Sequence, residues 1–335
     1  MKKSKIALIL SVIIIIALFA GCGNRAASNK KSDDNKSEKK EFREYNVAVL
    51  KGSTAVGFAK AWSDSDEENT DNKYNVTAYA TPDEISAGLA KGEIDIAAIP
   101  CNLASVLYNK TGKGIKVAAV NTLSVLYMVS SSEMDSVNDL KGKTIYTTGQ
   151  GTTPQYTLEY ILSKNGLTPG TDVKIEYKQE AAEVAAILTT DNDAIGMLPQ
   201  PYASAVLLKN QNMKLALDMG NEWNKVADTP VVTGVAVARK EVIEDNKEAF
   251  DQFLDDYEAS VEYCKDNSDS VASILAAKGV FEEPVAKKAI PYLNIAFVSG
   301  EEMQADIENY LNLLYKANPA SVGGTMPDDE FYYSR

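Results

Sequence analysis

The chain has 335 residues, 45% of them hydrophobic and 24% charged, an ordinary globular composition with room for two domains. Asp and Glu number 47 against 34 Lys and Arg, a net charge of −13, which argues against a nucleic-acid partner because phosphate binding needs a basic surface. There is no histidine, so His-based triads, HExxH zinc sites and imidazole acid–base catalysis are excluded together.

The charge is unevenly placed. Residues 1–44 hold ten Lys/Arg against five Asp/Glu, which leaves 24 against 42, a net of −18, for the rest. Met1, Lys2, Lys3 and Lys5 form a short positive region before the apolar run Ile6–Ala20. That run has signal-peptide length and falls short of the roughly 20 residues that span a bilayer. It ends Leu18-Phe19-Ala20-Gly21-Cys22, which resembles the lipobox of bacterial lipoproteins, with Phe19 where Leu is more usual. The resemblance implies a signal peptide over 1–21 and a lipid-modified Cys22 as the mature N-terminus. Residues 22–44, rich in Lys, Ser, Asn, Asp and Glu, read as a disordered tether spanning on the order of 25 Å. Cys101 and Cys264 share no framework spacing and no CxxC or Cys/His cluster exists, so two separate thiols and no metal site are expected.

From Tyr45 onward strands and helices alternate. Tyr45–Leu50 reads as a strand, Gly52-Ser53-Thr54 opens a helix through Trp62, and Ser63–Asn72 reads as an acidic loop. Tyr74–Tyr79 is a strand, Pro82 starts a helix through Lys91, Ile94–Ile99 is a strand and Asn102–Asn109 a helix. Strands follow at Ile115–Val120, Val125–Val129 and Thr144–Thr147, then a helix from Thr153 to Asn165 closed by Gly166. Val173–Tyr177, Glu180–Leu188, Ala194–Met197, Tyr202–Lys209 and Lys214–Leu217 continue the alternation. After Val231–Ala238 the chain reads as mainly helical to about Ala317. Such alternation predicts an α/β protein with parallel-type sheets covered on both faces.

Two internal echoes share an offset of about 98 residues. The strand–turn–helix DIAAIP-CNLASVL from Asp95 resembles DAIGMLP-QPYASAVL from Asp193, and the Gly52-Ser53-Thr54 turn resembles Gly149–Pro154. Together they suggest two similar α/β lobes.

At these residues the chain resembles a known family. Asp139-Leu140-Lys141-Gly142-Lys143-Thr144-Ile145, Gly149–Pro154 and Leu167-Thr168-Pro169, with Gly92–Ala98 and Leu198–Pro201, are similar to the solute-binding lipoproteins of ABC importers, in the nitrate/sulfonate/taurine group that also holds thiamine-pyrimidine-precursor binders. The resemblance covers Tyr45 to Arg335 and implies a periplasmic-binding-protein-like fold of type II, two α/β lobes with a cleft between them and two hinge crossings. On that basis lobe 1 is placed at 45–126 plus 228–335 and lobe 2 at 127–227. The implied protein is a monomer anchored to the extracytoplasmic side of the cell membrane. It would capture a small solute and deliver it to an ABC permease and its ATPase, with no cofactor.

Ligands of α/β sheets bind beyond the carboxyl ends of strands, where helix N-termini point free N–H groups into the crevice. Four turns fit that description. Their candidate ligand-binding residues are Gly52, Ser53 and Thr54; Pro100, Cys101 and Asn102; Gln150, Gly151, Thr152 and Thr153; and Pro199, Gln200 and Tyr202. Gly permits close backbone approach, Ser, Thr, Asn and Gln exchange hydrogen bonds without bringing charge, and Tyr202 offers a ring for a planar ligand. The same residues also serve as ordinary N-caps and turns.

The chain has only four arginines, Arg25, Arg43, Arg239 and Arg335. Amino-acid binders of this broad fold hold the α-carboxylate with a bidentate Arg, so an α-amino acid is disfavoured. A small anion and a neutral heteroaromatic both remain open. Pyrimidine-precursor enzymes of related fold use histidine and a cysteine-rich segment, and this sequence has neither. Two alternatives to an importer receptor remain: a binding protein feeding a membrane kinase, and an enzyme. For the enzyme the best nucleophile is Cys101, whose helix-start position would lower its pKa. Trp62 reads as core, while Trp223 fits either the core or the cleft border.

Overall fold

The computed structural model describes residues 43–335, so the expected signal peptide, Cys22 and the tether up to residue 42 lie outside the described residues. In chain order the elements are β1 (Glu44–Leu50), a 3-10 turn (Ser53–Phe58) running into α1 (Ala59–Asp66), β2 (Lys73–Tyr79), α2 (Pro82–Lys91), β3 (Ile96–Pro100), α3 (Cys101–Lys110) and β4 (Ile115–Thr122). Then come β5 (Leu126–Ser130), β6 (Thr144–Thr147), α4 (Thr153–Lys164), β7 (Lys174–Tyr177), α5 (Ala181–Thr190), β8 (Ile195–Pro199), α6 (Tyr202–Lys209), β9 (Lys214–Asp218) and α7 (Met219–Asn224). The last part holds β10 (Gly234–Arg239), α8 (Lys240–Asp245), α9 (Lys247–Asp266), α10 (Ser268–Ala277), α11 (Glu283–Ala289), β11 (Ile295–Val298) and α12 (Gly300–Ala317).

Local chemistry sets several of these limits. Thr81 caps α2 in a reciprocal box with Glu84, whose Oε2 accepts from Thr81 Oγ1 at 2.9 Å, and Pro82 occupies the first turn. Gly166, at φ +74, ends the turn after α4 in the left-handed region, and the Leu167 N–H returns to the Leu162 carbonyl at 2.9 Å. One expectation needs correction. The stretch Ser63–Asp66 is helical, because Lys60 pairs with Asp64 one turn on and Ser65 is buried where its Oγ accepts from the Tyr74 N–H at 2.7 Å. The stretch after Arg239 is mainly helical, as expected, with one added strand, β11.

The strands form two sheets. The first has the order β11-β4-β10-β3-β1-β2 and the second β7-β6-β8-β5-β9. Both are mixed rather than parallel. β1 runs parallel to β2 and β3, and β6 runs parallel to β7 and β8, but β10 pairs antiparallel with both β3 and β4. Likewise β5 pairs antiparallel with both β8 and β9. The sheets therefore repeat one plan: β1, β2, β3, β10 and β4 in the first occupy the places of β6, β7, β8, β5 and β9 in the second. The echoing sequence segments fall on β3–α3 and β8–α6, at equivalent positions.

Each inserted antiparallel strand directly follows a passage of the chain between sheets. The outward passage joins β4 to β5 through Leu123–Val125, and the return joins β9 to β10 through α7 and the segment up to Thr233. Helices cover both faces of the first sheet, so its strands are apolar in both directions. Val235 and Val237 face one cluster with α3 and α12, while Ala236 and Ala238 face another with α1, α9 and α10. The second cluster is rich in rings: Phe58 meets Tyr257 edge to face at 5.1 Å and Tyr74 meets Phe253 at 5.5 Å. Among the described residues no helix is long and apolar enough to cross a membrane.

Candidate functional site

The turns of interest follow the carboxyl ends of β1, β3, β6 and β8, and strand register shows how two of them meet. Gly234 lies opposite Pro100 on one side and Thr122 on the other. Across the passage, Leu126 lies opposite Pro199. Only residues 123–125 separate Thr122 from Leu126, so the ends of β3 and β8 stand on either side of the outward passage. Backbone hydrogen bonds tie this region together. Cys101 N–H donates to Thr233 O at 3.1 Å, Thr233 N–H to Thr122 O at 3.0 Å, and Gln200 N–H to Val125 O at 2.9 Å. Asn294 holds the passage from outside, its Nδ2 donating to Ser124 O at 2.6 Å while its carbonyl accepts from Leu123 N–H.

Several polar side-chain atoms near these strand ends are buried and make no close hydrogen bond within the protein. They are Thr54 Oγ1, both amide atoms of Asn121, Thr122 Oγ1, Ser124 Oγ, Gln200 Nε2 and Thr233 Oγ1; Thr54, Asn121 and Thr122 gather around Gly234, while Ser124 stands against Gly220. Gly234 shows how tightly three of them gather: a Cβ built on it would stand 2.5 Å from Asn121 Oδ1, 2.8 Å from Thr54 Cγ2 and 3.3 Å from Thr122 Cβ. Tyr257, on α9, presents its buried hydroxyl to the Asn121 side chain, within hydrogen-bonding reach of it. Burial without a partner costs on the order of 1–3 kcal/mol per group, so a run of such groups at one place calls for a function.

The second pair of turns meets elsewhere. Thr153 Oγ1 at the start of α4 reaches Asn102 Oδ1 at the start of α3, at 3.5 Å, and Asn102 Nδ2 donates to Ser321 O at 3.1 Å. The buried Tyr310 hydroxyl of α12 lies beside Thr153 and Thr157. Asn318 Nδ2 donates to the Tyr156 hydroxyl at 3.1 Å. These contacts join elements of the two sheets on the α3/α12 side.

The remaining candidates are more peripheral. Gly52 is half-buried and Ser53 buried at the head of the 3-10 turn. Thr152 Oγ1 donates back to Gly149 O at 2.7 Å, as an ordinary turn, while Gln150 and Gly151 are exposed on a rim beside Tyr177 and Lys178. Tyr202 is half-buried in a groove of about 540 Å³ between α5, α6 and α11, with Lys51 and Phe281. A smaller notch of about 210 Å³ overlies the passages, lined by Ser124, Asp218, Asn221 and Asn294.

Three other residues find structural roles. Arg239 sits at the opposite end of β10 from Gly234, its Nη2 on Asp95 at 2.7 Å and its Nε donating to Ile94 O at 3.0 Å. Trp223 is 1% exposed, packed on Tyr160 at 4.7 Å and Tyr310 at 6.0 Å, with Nε1 donating to Thr229 O at 2.6 Å. Cys101 is fully buried, and burial pushes its thiol pKa far up rather than down, which reverses the expectation for a nucleophile at a helix start. Cys264 is likewise free and buried, its pKa pushed up to about 11. Among the described residues no group of three His, Cys, Asp or Glu stands where it could hold a metal ion.

Asn121, Thr122, Ser124, Thr233 and Tyr257 were not singled out from the sequence. The available signal was the polar Asn121-Thr122 pair at the end of the apolar run Ile115–Val120.

A family model described as menaquinone biosynthesis matches residues 68–316. No curated protein matches the chain in sequence. Among solved structures, an ABC transporter from Parabacteroides distasonis has a TM-score of 0.73 at 26% identity, covering 87% of this chain and 99% of that one. The periplasmic aliphatic sulphonate binding protein SsuA from Escherichia coli has a TM-score of 0.68 at 18% identity, covering 87% and 96%. The periplasmic nitrate-binding protein NrtA from Synechocystis PCC 6803 has a TM-score of 0.61 at 14% identity, covering 82% and 81%. The fold is that of the periplasmic binding proteins, as the sequence resemblance implied.

Proposed function

Since the chain belongs to the menaquinone-biosynthesis family and has the periplasmic-binding-protein fold, we propose that it is the solute-binding protein of an ABC importer. In this reading it is held outside the cell membrane by a lipid on Cys22, acts as a monomer, and hands a small anionic or heteroaromatic solute to a permease and its ATPase. In this reading the lobes comprise 45–126 plus 228–335 and 127–227, and the turns at Thr54, Asn102, Thr153 and Gln200 face the cleft, with Gln150, Gly151 and Tyr202 toward its rim.

The observation that carries the reading is the group of buried, uncharged side chains, Thr54, Asn121 and Thr122, gathered around Gly234 at the ends of β4 and β10, where the two passages run between the sheets. A solute bonded to Thr54, Asn121 and Thr122, which gather around Gly234, would relieve roughly 1–3 kcal/mol per group. That relief is available only while both lobes surround it, so binding and closure reinforce one another. Entry requires the lobes to part, because these atoms are sealed from solvent as they stand. The likeness in fold to SsuA and NrtA, described as sulphonate- and nitrate-binding, supports the anionic of the two solute classes.

A thermal-shift screen of the full-length protein tests this, with sulfonates, nitrate, aromatic carboxylates, pyrimidines and amino acids. A ligand at 100 times its Kd adds about 2.7 kcal/mol, which corresponds to roughly 5–10 °C. A shift confined to one class supports the reading; no shift from any class, together with no small molecule released on denaturation, refutes it.

The family description favours a second reading, in which the cleft holds a menaquinone precursor and transforms it. The absence of histidine and the burial of Cys101 remove an imidazole and that thiol from the groups that could carry the chemistry. A change in ligand mass after incubation would favour it over transport.

A further inference from the structure

We infer that the Tyr127 hydroxyl, bonded to the Tyr292 carbonyl, is a latch that holds the two sheets together when no solute is bound. Tyr127 is thereby a positioning residue, acting on affinity through closure. That effect on affinity rests on the binding-protein reading; the latch itself does not.

The outward passage shows where the two parts of the molecule divide. Up to Val125 the chain is held with the first sheet. Leu123 N–H donates to Asn294 O at 2.9 Å, Asn294 Nδ2 donates to Ser124 O at 2.6 Å, and Ile295 lies opposite Thr122. Val125 is buried in one cluster with Ile290, Leu293 and Ile295. From Leu126 the chain belongs to the second sheet, where Tyr127 lies opposite Leu198 on one side and Asp218 on the other. Its side chain then reaches back: the hydroxyl donates to Tyr292 O at 2.9 Å, and the two rings meet edge to face at 6.0 Å.

The two ends of this bond are anchored separately. Tyr292 closes a 3-10 turn, Ile290–Tyr292, and Ile290 before it and Leu293 after it are both buried. Tyr127 is paired on both sides, so neither partner can follow the other when the sheets part. A hydrogen bond is lost beyond about 3.5 Å, so a separation that grows by little more than about 0.6 Å releases this one. Among the described residues two other side-chain bonds join elements of the two sheets, and both hold less firmly. Asn102 and Thr153 meet only at 3.5 Å, and Asn318, which donates to Tyr156, is exposed, so water can replace its partner. Tyr127, by contrast, is 5% exposed. One such bond shifts the ratio of closed to open molecules by about two- to tenfold. A solute that binds only the closed form loses affinity as the closed fraction falls.

The molecule carries its own reporter. Trp223 is 1% exposed, packed between Tyr160 of α4 at 4.7 Å and Tyr310 of α12 at 6.0 Å. α4 accompanies the second sheet and α12 the first, so parting the sheets uncovers the indole. Trp62, the other tryptophan, lies in the ring-rich cluster of the first sheet and gives a constant background. The test is acrylamide quenching of tryptophan fluorescence in the dialysed full-length protein, with no solute added. Tyr127→Phe, which keeps the ring and removes the hydroxyl, should raise the quenchable fraction of Trp223 by about two- to tenfold. Tyr292→Ala, which removes the partner ring, is the second variant should Tyr127→Phe fail to fold, and it should act in the same direction. Tyr108→Phe removes a hydroxyl bonded to Asp328 on the first sheet's side alone and should leave quenching unchanged. A parent whose Trp223 is already open to acrylamide, variants that quench as the parent does, or an equal rise in Tyr108→Phe overturns the inference. Each of these leaves the binding-protein reading standing, because only the solute screen decides that.

Discussion

Gly234→Ala probes the packing on which the site depends. The residue lies in β10 between two partners, opposite Pro100 on β3 and Thr122 on β4, so its backbone cannot retreat without breaking pairing on one side. The added methyl would stand 2.5 Å from Asn121 Oδ1 and 2.8 Å from Thr54 Cγ2, both inside any normal contact. Overpacking of this kind costs about 1–3 kcal/mol. At about 2–4 °C per kcal/mol for a chain approaching this size, the melting temperature should fall by about 2–12 °C. Gly52→Ala is the control. Its φ is −170, extended backbone open to any residue, and nothing lies within 4 Å of the new Cβ, so its stability should change by less than about 0.5 kcal/mol. Scanning calorimetry of the two variants beside the parent decides the matter. If Gly234→Ala melts with Gly52→Ala, the side chains around Gly234 are loose and the case for a tightly gathered cluster fails.

Trp223→Ala removes a fully buried ring and its bond to Thr229 O, and should lower stability by about 3–5 kcal/mol in urea titration. Arg239→Ala strands the Asp95 carboxylate and the Ile94 carbonyl and should cost about 1–3 kcal/mol. Because Arg239 is at the other end of β10 from the cluster, ligand affinity measured on the same variant should not move. Cys101 and Cys264 should resist alkylation in the native protein and react on unfolding, as mass mapping would record. The Cys264 thiol also fixes a sign for pH. Its folded pKa, about 11, exceeds that of an unfolded thiol, so its contribution is complete below about pH 9 and is lost as pH rises toward 11. Urea midpoints should therefore fall between about pH 8 and about pH 10.5, and Cys264→Ala should reduce the difference.

The sequence made some elements plain and hid others for identifiable reasons. α2 and α6 occupy the spans expected of them, Pro82–Lys91 and Tyr202–Lys209, because a proline-marked start and an apolar helical period speak locally. β11 was hidden because IAFV has only four residues and pairs at the edge of β4 through two positions, Ile295 with Thr122 and Val298 with Val120. α7 was hidden because its six residues include a glycine and are held by the Asp218 carboxylate, which accepts from Gly220 and Asn221 N–H. The turns at Gly52, Pro100, Gln150 and Pro199 announce themselves through Gly, Pro, Ser and Thr. Asn121, Thr122 and Thr233 do not, since they are strand-end residues whose significance depends on β10 lying between β3 and β4. That placement is a long-range fact with no local signature.

That same placement dictates an order of assembly. All five strands of the second sheet come from one continuous stretch, from Leu126 to Asp218, so it can form as soon as that stretch exists. The first sheet cannot. β4 neighbours only β10 and β11, both of which arrive more than about a hundred residues after it, and pairings of such long sequence separation form slowly. Pulse-labelled hydrogen exchange during refolding should therefore protect β5, β8 and β9 before β4 and β10. The crevice, built from the ends of β3, β4 and β10, would then be among the last features to mature, and its chemistry would come into being only once the chain is essentially complete.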